Sequence, residues 1–143
     1  MFVPRQWLCL FFCCAMIVSH VRADTWQLIN AFADQDKYIC GICNGVSVLA
    51  WSRLNGRSLL DGKRVTAPTR AAPSGVYDGQ RGSPSIRWHV EQNGGRLVPP
   101  GSIGNPRSRA DDVVVEGKII TAEDDQSARE AGRQLAELLL RAG

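Results

Sequence analysis

Apolar positions along the chain change period several times, and each change marks an element. Leu28, Ile29, Phe32 and Ala33 recur at helical spacing, which predicts a helix to about Gln35 with Asp24 or Thr25 as its cap. Tyr38 to Ile42 is a short apolar run bounded by Lys37 and a Gly-rich turn, the pattern of a core strand. Val46 to Leu54 is interrupted only by Ser47, Ser52 and Arg53. A helix apolar on nearly all sides is buried. Asn55-Gly56 reads as its stop. Asp61-Gly62 is a turn and Arg64 to Ala67 a short strand. Pro68 to Pro84 is a long Pro/Ala/Ser/Gly/Arg stretch, a loop of the length used for lids. Ser85 caps a short helix that Gly94-Gly95 ends, and Arg96 to Val98 is a strand, followed by a loop over Pro99 to Arg109. Asp112 to Val115 and Lys118 to Thr121 flank Glu116-Gly117, a hairpin signal. Asp124 or Asp125 caps a closing helix with Ala128, Ala131, Leu135, Leu138 and Leu139 on its buried stripe. Arg129, Arg133, Glu137 and Arg141 lie on the other side, with Glu137 and Arg141 spaced to pair.

Helices alternating with strands predict an α/β layered fold. Two or three core strands plus a hairpin are fewer than the roughly five or six of an ordinary sheet, so N-terminal strands are expected to be missing.

The first 23 residues differ from the rest. Arg5 precedes Trp7 to Val18, twelve uncharged and mostly apolar residues, then Ser-His-Val-Arg-Ala. Val21 and Ala23 suit the positions before a cleavage site, so 1–23 reads as a secretory signal peptide and 24–143 as the mature domain. The apolar run is too short for an ordinary membrane span. The expected location is secreted or periplasmic if the leader is genuine, and cytoplasmic otherwise. No membrane partner is expected after leader removal.

The 143 residues suffice for one domain. The net charge is +3, and leaving out Arg5 and Arg22 sets fifteen basic residues against fourteen acidic ones. No basic stripe is interleaved with aromatics, so no nucleic-acid partner is expected. Three of five cysteines, Cys9, Cys13 and Cys14, precede residue 24. Cys40 and Cys43 alone make no disulfide framework, and two thiols without a nearby His/Cys pair make no structural zinc site. Neither a metal nor another cofactor is expected.

The candidate chemistry lies in Gly41-Ile42-Cys43-Asn44-Gly45, between the strand and the apolar helix. G-x-C-x-G in that position has the form of a nucleophile elbow, with the glycines easing the turn. The elbow would lift the Cys43 sulfur above the sheet edge at a helix N-terminus, where a thiolate is favoured.

Ile39 to Gly45, with Leu59-Leu60-Asp61-Gly62-Lys63-Arg64-Val65-Thr66, the Asp112 to Thr121 hairpin and the closing helix, resembles the DJ-1/PfpI family of the class I glutamine amidotransferase-like superfamily. The resemblance runs from about Thr25 to Ala142. It implies a flavodoxin-like three-layer sandwich, lacking its N-terminal strands, and a homodimer. Members include cysteine-dependent peptidases and amidases, deglycase or glyoxalase-like enzymes, chaperones and oxidative-stress sensors. Cys43 corresponds to the family's reactive cysteine, and the Asn44 backbone N–H to one oxyanion donor. A small-molecule or peptide substrate follows from the same resemblance. The chain departs from the family at Asn44, where protease-like members carry His, and at Ala67-Pro68-Thr69, where others place His. The family's cysteine-binding acid and its Gly-rich oxyanion loop would precede this chain. Three outcomes are therefore expected to compete: a cysteine-nucleophile enzyme, a non-enzymatic redox-sensing or partner-binding member, and an inactive truncated fragment.

Cys40-Gly41-Ile42-Cys43 also matches C-x-x-C, the thioredoxin-like redox pair, but Cys40 falls at a strand position facing the core. His89 is the only histidine after residue 23 and has no partner spacing that marks a base. Arg70, Arg81, Arg107 and Arg109 read as solvated loop charges, and Trp51 and Trp88 as core or interface aromatics.

Overall fold

A computed structural model of the chain describes residues 10–12, 23–68, 85–98, 113–125 and 127–142. Its main sheet has four strands, β1 (Leu10–Phe12), β2 (Ile39–Ile42), β7 (Val113–Glu116) and β8 (Ile119–Ala122), in the order β1-β2-β8-β7. β1, β2 and β8 run parallel, and β7 returns antiparallel to β8. Gly117, at φ 61, makes the β7–β8 turn foreseen at Glu116-Gly117.

Successive residues of β2 enter two separate cores, as a pleated strand covered on both faces requires. Ile39 packs with Ile29, Phe32, Val46, Leu49, Ile86 and Val90. These come from α1 (Ala23–Asp34), α2 (Gly45–Trp51) and α3 (Ile86–Gln92). Cys40 and Ile42 pack with Ile120, Ala122, Ala131 and Leu135. The last two belong to α4 (Ala128–Ala142). Helix, sheet and helix thus form the three layers of a flavodoxin-like fold. Two short pairs complete it: β3 (Arg53–Leu54) with β4 (Arg57–Ser58), and β5 (Arg64–Val65) parallel to β6 (Arg96–Leu97).

Most expected elements form. Ser85 caps α3 by accepting from the Trp88 N–H at 3.2 Å, and Asp124 accepts from the Ser127 N–H at 2.9 Å ahead of α4. Ala131 and Leu135 are buried on α4. Arg133, rather than Arg141, carries the ion pairs there, with Glu130 and Glu137.

Three expectations are corrected. The buried helix ends at Trp51, not Leu54, because Arg53 and Leu54 leave it to pair with Arg57 and Ser58. Asn55 and Gly56, at φ 53 and 80, form a two-residue hairpin turn with both residues left-handed, instead of a helix stop. Leu28, expected on the buried face of α1, is exposed, while Ile29 and Phe32 carry the burial. Within the segment read as a leader, Leu10–Phe12 stands in the sheet, in parallel register with Ile39, Cys40 and Gly41. Residues 69–84 and 99–112, with Arg70, Arg81, Arg107 and Arg109, lie outside the described residues.

Candidate active site at the end of β2

β2 ends at Ile42, and the next residue, Cys43, has φ 53. This is the left-handed region, which costs a side chain with a Cβ on the order of 1–3 kcal/mol. The strain sits on Cys43 and not on the flanking glycines, neither of which has positive φ. Gly41 serves a different need. A Cβ there would stand 2.7 Å from Leu49 Cδ1, so the missing side chain is what lets α2 pack down on β2. The elbow is fixed from three sides. The Cys43 N–H donates to the Ala122 carbonyl of β8 at 3.0 Å. The Cys43 carbonyl accepts from the Val46 N–H at 3.1 Å, and the Asn44 carbonyl from the Ser47 N–H at 3.1 Å, closing the first turn of α2.

Cys43 is 7% exposed, and its thiol lies 3.9 Å from Asn44 Oδ1, a long and weak contact. Asn44 is 2% exposed. It stands at the N-cap of α2, yet its side chain makes no capping bond. Among the described residues its Nδ2 has no hydrogen-bond partner. The first N–H groups of a helix have no partner within the helix, and the Asn44 N–H is the group that the resemblance implies as an oxyanion donor. α2 is only seven residues long, so any help to an anion comes from these local N–H groups rather than a long macrodipole.

Two further buried polar residues share this carboxyl edge of the strands, the place where open α/β sheets bind ligands. Glu123, 6% exposed, follows Ala122 directly. Thr66, fully buried, follows β5, and its N–H donates to Thr121 Oγ1 at 3.0 Å. Thr66 Oγ1 has no partner. The sequence offered no signal for these two beyond their position after a strand.

Other candidates lie elsewhere. Cys40 is fully buried on the α4 side of β2, as a strand residue should be. His89 is held at the opposite end of α2, where its Nδ1 accepts from Trp51 Nε1 at 3.0 Å. Seven residues of helix rise, on the order of 10 Å, separate Trp51 from the elbow. Burial lowers the His89 pKa from its ordinary value. Trp51 and Trp88, read as core or interface aromatics, are 43% and 41% exposed. Among the described residues no cluster of three His, Cys, Asp or Glu is placed to hold a metal, and no helix is long and apolar enough to cross a membrane.

Sheet, covering helices and strained cysteine together define a flavodoxin-like sandwich with its cysteine at a strand–helix elbow. No family model and no curated protein matches the sequence. Solved structures do. The 24 kDa Rapid Encystment Protein of Francisella tularensis is similar at 22% identity and TM-score 0.63, over 83% of this chain and 51% of that one. Glyoxalase III from Candida albicans is similar at 17% identity and TM-score 0.57, over 80% and 48%. DJ-1 of Schizosaccharomyces pombe is similar at 21% identity and TM-score 0.51, over 82% and 46%. The chain therefore has the fold of the DJ-1/ThiJ/PfpI proteins, and it spans about half the length of these neighbours.

Proposed function

We propose that this chain is a DJ-1/PfpI-type protein whose Cys43 is a reactive thiol acting on carbonyl compounds. The observation that supports the reading is the left-handed Cys43 backbone at φ 53, in a turn tied to β8 and to α2. Strain of this kind persists only where the surroundings impose it, and it gathers at working residues. The thiolate sulfur would bond to an aldehyde or amide carbon, and the C=O π pair would move onto oxygen. The Asn44 N–H would stabilise that oxyanion. With an aldehyde, protonation of the oxygen by water leaves a hemithioacetal. Glyoxalase III among the structural neighbours makes a 2-oxoaldehyde the first substrate to try. A small-molecule or peptide substrate, a homodimer and export through the leader belong to the same proposal.

A second reading is favoured by Asn44 and by Ala67-Pro68-Thr69, which stand where the resemblance implies a histidine base. Without a base, Cys43 would serve as an oxidant sensor, its thiolate taking one oxygen from peroxide to give sulfenate and water.

One experiment separates these readings. The full chain and Cys43→Ala are incubated with methylglyoxal, and separately with peroxide plus a sulfenic-acid probe. The enzyme reading expects aldehyde loss that Cys43→Ala abolishes. Sensing expects a probe adduct at Cys43 without aldehyde loss. Neither aldehyde loss nor adduct formation at Cys43 would overturn both.

A further inference from the structure

Asn is a favoured N-cap because its side-chain oxygen can accept from the second or third N–H of the helix. Asn44 stands at the start of α2 but has helical backbone angles, φ −61 and ψ −23, and its side chain makes no such bond. Its amide is turned to Cys43 instead, with Oδ1 3.9 Å from Sγ. The other end of that amide, Nδ2, is buried with no hydrogen-bond partner among the described residues, in a residue only 2% exposed. A buried unpaired amide costs stability, so its retention calls for an explanation.

We infer that the Asn44 side chain is a reversible partner of the Cys43 sulfur, accepting from the thiol and donating Nδ2–H to the thiolate. The inference rests on Cys43 being reactive, as proposed above. An amide presents an acceptor and a donor of nearly the same shape, so a half-turn about its terminal bond exchanges them. A thiol is a weak donor and needs little from Oδ1. A thiolate needs donors, because a buried anion without them is costly. When the proton leaves Sγ for solvent, the half-turn brings Nδ2–H to the sulfur, and the donor that had no partner gains a charged one. Asn44 is thus a positioning residue that favours the ionised sulfur by its side chain, separately from its backbone N–H.

Among the described residues the other titratable groups around Cys43 are Glu123, one residue past the Ala122 that binds the Cys43 N–H, and Cys40 and Tyr38, which share the Cys43 cluster. α4 brings the apolar Ala131 and Leu135 to the cluster that holds Cys43. Glu123, Cys40 and Tyr38 are unchanged in every variant below, so a difference between variants reports Asn44.

The test is the pH profile of iodoacetamide alkylation at Cys43, read by peptide mass in the full chain, Asn44→Leu, Asn44→Ala and Asn44→His. Leu approximates the shape of Asn without a donor, Ala removes the donor with a smaller side chain, and His restores one. Thermal melts establish which variants are folded. The expected result is a midpoint about one pH unit higher in Leu and Ala, equivalent to about tenfold slower alkylation at pH values below it, with recovery in His. If Leu is unfolded, Ala alone decides. Superimposed profiles in the full chain, Leu and Ala would overturn the role of Asn44 while leaving Cys43 reactive. Failure of Cys43 to alkylate at any pH in the folded full chain would instead overturn the reactive-cysteine reading.

Discussion

The backbone N–H of Cys43 meets the carbonyl of Ala122 at 3.0 Å, so the parallel ladder between β2 and β8 runs one residue past the strand and into the elbow. That bond, with the first turn of α2, holds Cys43 left-handed at φ 53. Gly adopts this region without a Cβ penalty, whereas Ala keeps the penalty and loses the thiol. Cys43→Gly should therefore melt higher than Cys43→Ala, by up to about 1 kcal/mol in unfolding free energy, despite Gly's greater flexibility when unfolded. Both should be inert in the aldehyde assay. Equal stability of the two variants in urea unfolding would show that the elbow carries no backbone strain.

Gly41 is the second fixed point. Its hypothetical Cβ meets Leu49 Cδ1 at 2.7 Å and the Gly45 carbonyl oxygen at 3.3 Å. Leu49 is fully buried, so its side chain has little room to move. Gly41→Ala should cost about 1–3 kcal/mol, as overpacking a tight contact does. Adding Leu49→Ala should return part of that cost, so the double-mutant cycle should show favourable coupling. Additive losses would mean that α2 does not rest on Gly41.

The elbow and the β7–β8 hairpin were legible because both are local. G-x-C-x-G and Glu116-Gly117 each specify a turn by the residues inside it, and burial on both faces makes β2 and β8 apolar runs. Where the reading failed, the deciding contacts were distant in sequence. Arg53 leaves α2 with its guanidinium bonded to the Ala50 carbonyl and to Asn93 of the turn after α3. Nothing near residue 53 announces Asn93. Asn55-Gly56 fits a helix stop and a two-residue hairpin turn alike, and the pairing of Arg53 and Leu54 with Arg57 and Ser58 makes it the turn. At Asn44 the resemblance implied a backbone role, while the buried Nδ2 appears only in three dimensions.

His89 gives the protein a pH response away from the elbow. A Trp51 N–H can donate to Nδ1 only while that nitrogen is unprotonated, so the 3.0 Å bond requires neutral imidazole. Burial acts in the same direction, lowering the pKa from the ordinary 6.5. With the folded value below the unfolded one, the unfolded chain binds more protons in the interval between them. Stability is then fully present above about pH 6.5 and is lost as pH falls through that interval. Tryptophan emission and melting temperature should both change there, and His89→Phe should flatten both responses. A wild-type protein with no such change, or a variant that keeps it, would rule out the Trp51–His89 bond as the origin.

The pairing of Leu10–Phe12 with Ile39, Cys40 and Gly41 bears directly on the segment read as a leader. An apolar run suits a signal peptide and a strand covered on both faces equally well, so composition alone does not separate them. The two uses make opposite demands. Cleavage before Asp24 would remove β1 and turn β2, the strand that leads into Cys43, into a sheet edge with unpaired backbone groups. A chain starting at Asp24 should accordingly melt lower than the full chain and self-associate in sedimentation runs. If it melts identically and remains monomeric, β1 contributes nothing to the sheet that carries the elbow. Intact mass and N-terminal sequencing of the protein from its source cells then decide which form exists. A start at Asp24 places the working protein outside the cytoplasm without β1. A chain that retains Leu10–Phe12 keeps the strand beside the reactive cysteine, and the enzyme reading gains accordingly.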